Sequence, residues 1–346
     1  GNQNADIDEI EARLAGIGGV VGCTDTTTDC QTYGFDPNNV TAGASDPIHT
    51  VGDYSTPMTH EFQLGLDHEL MPNFGVSGTF TFRHFNNFTQ RNNGLDGNDY
   101  VQISTYEGTA PGDVGSFSVP IYGVIEANIP ANSAATEYRS RPGYTQRYIG
   151  FEAAATKRLS NRWMARFGFS TNDHRAYYDS PASYTDPTSG EGVLESGQLV
   201  VTESGGSGKA GIYSVLPKYQ FIATGMYQAP WGINLAANMV SRQGFAKQFH
   251  RSQVSTPGDP LDPSKTVSLI SENGEYRLPN MTSLDVRVGK EFRVQRVRLN
   301  VDLDVFNVLN SATILGREYD FRRGTFNDVR EIMNPRILRV GLRVGF

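Results

Sequence analysis

The sequence predicts an all-β fold, an up-and-down antiparallel transmembrane β-barrel. Three observations carry this. Apolar residues recur at every second position in nine segments, four pairs of those segments are joined by turns of two or three residues, and the stretches between pairs are far longer. Tight turns at one end and long loops at the other is the asymmetry of a membrane barrel, whereas a β-sandwich keeps both sets of loops short.

Composition agrees. Of 346 residues, 37 are Gly, 16 Tyr and 19 Phe, a balance that favours β-structure over helical bundles. The net charge of −7 argues against a nucleic-acid partner. No apolar run approaches the length of a transmembrane helix, which leaves crossing by strands open.

Residues 1–57 read as an extracellular loop region with one short amphipathic helix over Asp6–Ala15, Ile7, Ile10 and Leu14 sharing a face and Gly16 ending it. Cys23 and Cys30 stand seven apart with no His or third Cys nearby. That disfavours zinc and leaves a loop disulfide or two free thiols, of which the disulfide is expected and would imply an oxidising compartment. The opening residues are polar and carry no export signal, so the chain is expected to be mature or truncated.

The barrel portion is expected over 58–346. Phe62, Leu64, Leu66 and Leu70 alternate, Met71-Pro72-Asn73 turns, and Phe74, Val76, Phe80 and Phe82 alternate. After a polar stretch over 86–143 come Ile149, Phe151, Ala153 and Ala155, a turn at Ser160-Asn161, then Trp163, Ala165, Phe167 and Phe169. After a second, over 171–217, come Tyr219, Phe221, Ala223 and Tyr227, the turn Pro230-Trp231-Gly232, then Ile233, Leu235, Ala237 and Met239. The fourth hairpin has Leu284, Val286, Val288 and Phe292, a turn at Val294-Gln295, then Val297, Leu299, Val301, Leu303 and Val305. Leu338, Val340, Leu342, Val344 and Phe346 form a lone last strand.

The other face of the fourth hairpin carries Asp285, Arg287, Glu291, Arg298, Asn300, Asp302 and Asp304. Charges of that density are excluded from hydrocarbon and are predicted to face a wet lumen. With a Val294-Gln295 turn, Glu291 falls opposite Arg298 and Arg287 opposite Asp302. A soluble sheet with one solvated face explains this hairpin equally well. The C-terminus decides between them. Arg339, Gly341, Val344 and Phe346 give polar-x-Gly-x-x-apolar-x-aromatic ending on the terminus, which resembles the signal that bacterial outer-membrane barrels present to the barrel-assembly machinery.

Taken together, YIGFEAAATKRLSNRWMARFGFS (148–170), PKYQFIATGMYQAPWGINLAANMVSRQG (217–244), SLDVRVGKEFRVQRVRLNVDLDVFNVLN (283–310) and Asn334-Pro335-Arg336 before the last strand resemble the C-terminal barrel portion of TonB-dependent outer-membrane receptors, of the Oar-like branch. The resemblance covers 58–346 and implies a 22-stranded barrel filled by an N-terminal plug. The present chain supplies about nine strands, with neither plug nor TonB box. Nine open strands leave two edges unpaired in lipid, so a portion of a larger protein is expected.

Bond-making chemistry is poorly supported. SGGSGKA (204–210) lacks the first Gly and the Ser/Thr of a phosphate loop and reads as a flexible loop. Asp173 and His174 are adjacent on one strand and point to opposite faces. His60 and His68 are too far apart to share a metal. Asp96, Asn98, Asp99, Asp259 and Asp262 have Ca²⁺-ligand chemistry, but surface turns use the same residues. Trp163 and Trp231 flank two tight turns and are expected in an interfacial aromatic girdle. Lys290 is expected to snorkel to headgroups. The expectation is therefore no enzyme, no cofactor and no metal.

The resemblance implies import of a scarce nutrient across the bacterial outer membrane, with lipid, the assembly machinery, the TonB complex and an unidentified nutrient as partners. The alternative is a non-energised porin or a structural or adhesive surface barrel.

Overall fold

The computed structural model describes residues 49–92, 94–129, 136–184, 186–188, 197–200 and 217–345. The expected helix at Asp6–Ala15, Cys23, Cys30, the 204–210 loop and Phe346 lie outside them.

Nine strands form the main sheet: β1 (Met58–Met71), β2 (Phe74–Asn86), β3 (Tyr144–Ser160), β4 (Trp163–Tyr178), β5 (Tyr219–Ala229), β6 (Ile233–Arg242), β7 (Met281–Val294), β8 (Val297–Phe306) and β9 (Ile337–Gly345). Each pairs antiparallel with its sequence neighbour, so the order is the simple up-and-down one, from β1 at one end to β9 at the other. A two-residue strand, Gln198–Leu199, adds to the outer end of β4.

The tight turns follow from local backbone chemistry. Met71 pairs with Phe74, leaving Pro72 and Asn73 as the turn. Asn73 has φ 67°, the left-handed value that the second central residue of a type II turn requires. Ser160 pairs with Trp163, so the second turn is Asn161-Arg162, one residue later than the sequence led us to expect. Both its residues have positive φ (51° and 67°), the type I′ pattern that matches strand twist. Ala229 pairs with Ile233 around Pro230-Trp231-Gly232, where Trp231 (φ 62°) and Gly232 (φ 71°) take left-handed values.

The fourth turn corrects the expected register. Val294 pairs with Val297, so the turn is Gln295-Arg296. Moving a turn by one residue moves every pair by two, which keeps the faces but changes the partners. Arg287 therefore faces Asp304, Glu291 faces Asn300, and Arg298 faces Arg293. The reason lies in the turn and the third strand. Gln295 takes the positive φ (58°), and the shifted register sets Asp304 between Arg287 on β7 and Arg339 on β9.

One face of this sheet is apolar across all nine strands, and many of its large side chains are exposed while the rest are half-buried. Leu66 is 71% and Val340 74% exposed, and Phe80, Ile149, Phe151, Phe167, Leu235, Val288 and Leu303 share that state. Burying a Leu or Phe side chain is worth about 1.5–3 kcal/mol. A water-exposed face of this composition would therefore be strongly unfavourable. Among the described residues most of the buried apolar core lies elsewhere, in the long connections.

Those connections are more ordered than the polar loops expected from sequence. The 86–143 stretch contains the strands Thr89–Asn92 and Thr136–Ser140, which pair in a small sheet with His49–Val51. It also contains a hairpin, Tyr100–Ala110 with Gly115–Val124. Two further strand pairs, His250–Ser255 with Ser264–Ser268 and Ile314–Arg317 with Val329–Ile332, fold within the later connections. Phe249, 1% exposed, is the centre of their shared core and packs with Tyr319, Phe326, Leu269, Ile270 and Ala110. Its rings meet Tyr319 at 5.6 Å and Phe326 at 5.3 Å between centroids.

Candidate functional site

Two regions can engage a solute: the polar face of the sheet and the layer of packed connections at its open end. On the polar face, β7, β8 and β9 carry Asp285, Arg287, Glu291, Arg298, Asp302, Asp304, Arg339 and Arg343 in alternation with the exposed apolar side chains. Asp304 accepts from Arg287 and, at 2.8 and 2.6 Å, from Nε and Nη2 of Arg339. Asp285 accepts the backbone N–H of Asn307 at 2.8 Å. Arg293, set opposite Arg298 by the register, pairs instead with Glu291 two residues away. At the far end Arg83 pairs with Glu61 across β1 and β2.

The FNVLN segment has a structural task. Asn307 donates through Nδ2 to Ser311 O (2.9 Å) and Asn334 O (2.8 Å), and its Oδ1 accepts from Ser311 N (3.0 Å). Asn310 accepts from Arg336 N at 3.0 Å, and Arg336 Nη2 reaches Val308 O at 2.6 Å. The two Asn residues adopt φ 48° and 50° and close the last connection onto the start of β9.

In the connection layer, Lys265 is fully buried. Its Nζ meets Asp186 Oδ2 at 2.6 Å, Asp259 Oδ2 at 2.7 Å and Tyr122 O at 2.8 Å. Burial and the fields of Asp186 and Asp259 push the nearby Tyr100 hydroxyl well above its ordinary range, so it stays protonated. Burial pushes Asp259 up, but Lys265 and the Leu261 and Asp262 N–H groups more than offset it, so its carboxyl is held below the usual range. Beside this network, Val114, Phe117, Tyr122, Thr188, Ile270 and Tyr276 line a cavity of about 480 Å³. That is within the range of small-molecule sites.

The sequence-level candidates separate clearly. Asp173 is bonded by Arg175 at 2.7 Å, and His174 stacks near Phe85 and Tyr148, so the two are not joined in one constellation. Asp96 and Asp99 are used in a reciprocal cap: Asn98 N donates to Asp96 at 2.9 Å and Asp96 N to Asp99 at 2.8 Å. Asp259 is held by Lys265 and by Leu261 N at 2.9 Å. No cluster of three metal-ligating side chains occurs among the described residues. His60 stacks at 6.5 Å on His84, apart from His68. Trp163 and Trp231 are exposed at the tight-turn end, Trp163 beneath Lys157 Nζ at 4.7 Å. Lys290 Nζ lies 5.4 Å from the Phe292 ring. Arg339, Gly341 and Val344 lie on β9, Val344 on the apolar face and the other two on the polar one. Sequence reasoning missed Lys265 and the cavity, because both are assembled from connections distant in sequence.

No protein-family model matches the chain, and no curated protein matches it. Solved structures do. The chain is similar to the outer membrane transporter YddB from Escherichia coli, at 13% identity and a TM-score of 0.43 over 86% of this chain and 34% of that one. It is similar to the FrpB iron transporter from Neisseria meningitidis, at 12% identity and a TM-score of 0.41 over 86% and 32%. It is also similar to the ferric-catecholate import receptor Fiu from E. coli, at 12% identity and a TM-score of 0.42 over 84% and 28%. The chain spans about a third of the length of each of these solved structures.

Proposed function

We propose that this chain is the C-terminal part of a bacterial outer-membrane receptor that imports a scarce nutrient through a plugged barrel, energised through TonB by its N-terminal part. The observation that carries the reading is the apolar, partly exposed face that extends over nine up-and-down strands, with most of the packed core in the connections at one end. Hydrocarbon is the solvent that stabilises such a face. The strands continue into a closed barrel in the whole protein, because unpaired edges are excluded from lipid. The polar face lines the lumen, the connections meet the nutrient outside the cell, and transport makes no covalent bond, so the protein is not an enzyme.

The test uses the full-length protein. Reconstituted in liposomes, a plugged receptor admits no solute passively, and in cells its uptake of a growth-limiting nutrient stops when TonB is deleted. Rapid passive swelling of the liposomes, with uptake unaffected by loss of TonB, would establish the non-energised porin instead.

A further inference from the structure

The buried Lys265 cluster has more than an ionic arrangement. Its side chain is 0% exposed and those of Asp259 and Asp186 are 1% and 13% exposed. The cluster sits beside an apolar core of Ile121, Val254 and Val267, with the Tyr100 ring 5.3 Å from Nζ. Each ion of a buried pair carries a desolvation cost of several kcal/mol, and a second carboxylate on the same ammonium adds another. Burial also removes the water that would compete for Nζ or hydrolyse a product.

We propose that Lys265 and Asp186 form an intramolecular isopeptide bond, with Asp259 as the proton-transfer group. Nζ lies 2.6 Å from Asp186 Oδ2, with the electrophilic Cγ one bond behind that oxygen, close to the separation of a near-attack pair. Asp259 reaches the same Nζ at 2.7 Å. Its other oxygen is fixed by Leu261 N and Asp262 N at 2.9 and 3.2 Å, so the carboxylate is oriented and ionised, as a base requires.

The step balances without any added reactant. Asp259 takes a proton from the Lys265 ammonium. The freed amine attacks Asp186 Cγ, forming the C–N bond. The tetrahedral intermediate expels one Asp186 oxygen, which leaves as water with the proton from Asp259 and a second proton from nitrogen. One ammonium and one carboxylate become a neutral amide plus one water. The bond joins positions 79 residues apart and ties the connection after β4 to the one after β6. Cross-links that close long loops restrict the unfolded chain most.

The test is peptide mapping of the purified full-length protein after denaturation and trypsin digestion. A free Lys265 permits cleavage after it, giving linear 252–265, while 176–209 appears separately. The bond predicts instead that 176–209 is joined to 252–277, one water lighter than their sum, with cleavage at Lys265 lost. Lys265→Arg keeps a cation in the site and should abolish the joined species. Asp259→Asn should leave Lys265 free and cleavable. Linear peptides from the folded wild-type protein overturn the proposal. So does a water-deficient 252–277 alone, which would place the bond on Asp259, or a joined species that persists in Lys265→Arg.

Discussion

Arg339 on β9 binds Asp304 on β8 through two nitrogens, Nε at 2.8 Å and Nη2 at 2.6 Å, in the last strand pair of the sheet. Asp304 is buried and also accepts from Arg287 on β7, so one carboxylate clamps three strands. Removing it leaves two guanidinium groups facing each other. Asp304→Ala is expected to lower the temperature at which the full-length barrel loses its compact mobility on semi-native gels, and Asp304→Asn to lower it less. An unchanged transition in Asp304→Ala would show that the clamp is dispensable.

The two faces of β8 should respond oppositely to the same side chain. Leu303 belongs to the exposed apolar face, whereas Asn300 lies on the polar face opposite Glu291 and Arg343. An arginine at the bilayer midplane costs about 2–4 kcal/mol. Leu303→Arg is therefore expected to reduce folded barrel in membranes severely and Asn300→Arg to leave it near wild type. Equal yields of the two variants would contradict the membrane reading.

The connection layer has its own core and should fail separately from the sheet. Phe249 is almost fully buried among Tyr319, Phe326 and Leu269, and truncation of such a residue costs about 3–5 kcal/mol. Phe249→Ala is expected to open the connections to protease added outside the cell while the strands stay heat-modifiable. Loss of both together would show the two layers to be one cooperative unit.

The strands were legible because a period of two is a local signal: each β-segment repeats its side-chain alternation over ten or so residues, and Pro72-Asn73 or Pro230-Trp231-Gly232 mark the reversals. The turns at Asn161-Arg162 and Gln295-Arg296 were misplaced by one because neither Ser160-Asn161-Arg162 nor Val294-Gln295-Arg296 contains a Gly or Pro that would fix the central pair. The connection core was illegible for a different reason. Phe249, Ile121 and Phe326 come from three connections, and their burial is decided by partners far along the chain. Lys265 lies in a Pro- and Asp-rich turn sequence that reads as surface; Asp186 and Tyr122, 79 and 143 residues away, bury it.

Acid should loosen the same layer. Burial pushes Asp320 up, but the Ser252 hydroxyl (2.6 Å), Ser252 N (3.0 Å) and Arg322 N (2.9 Å) outweigh it and hold the carboxyl below its ordinary value. Burial likewise pushes Glu318 up, but Arg330, the Asp320 N–H and Arg323 outweigh it and hold this carboxyl below its ordinary value. Depressed folded-state values give stability that is present above the unfolded carboxylate range, about 4, and lost as pH falls through the lower folded values. Amide exchange in 250–255 and 317–330 should therefore stay slow at mildly acidic pH and accelerate below that range. Asp320→Asn should remove most of that pH dependence; a pH profile identical to wild type would contradict it.

The last strand tests the outer-membrane assignment most directly. Leu338, Val340, Leu342 and Val344 are exposed on the apolar face of β9, and Arg339 and Arg343 alternate with them opposite Asp304 and Asn300. This alternation can hardly be inverted, because it would place both arginines in hydrocarbon. β9 is also an end strand of the nine-stranded sheet. Replacing Phe346 should then impair insertion without touching the connection layer. Full-length protein carrying Phe346→Ser, or lacking Val344–Phe346, is expected to yield much less heat-modifiable, protease-resistant barrel in membranes than wild type, with the deletion the more severe. Phe346→Tyr, which keeps the aromatic ring, should restore most of it. Wild-type amounts of folded barrel from both the serine variant and the deletion would refute the assembly-signal reading of Arg339, Gly341, Val344 and Phe346.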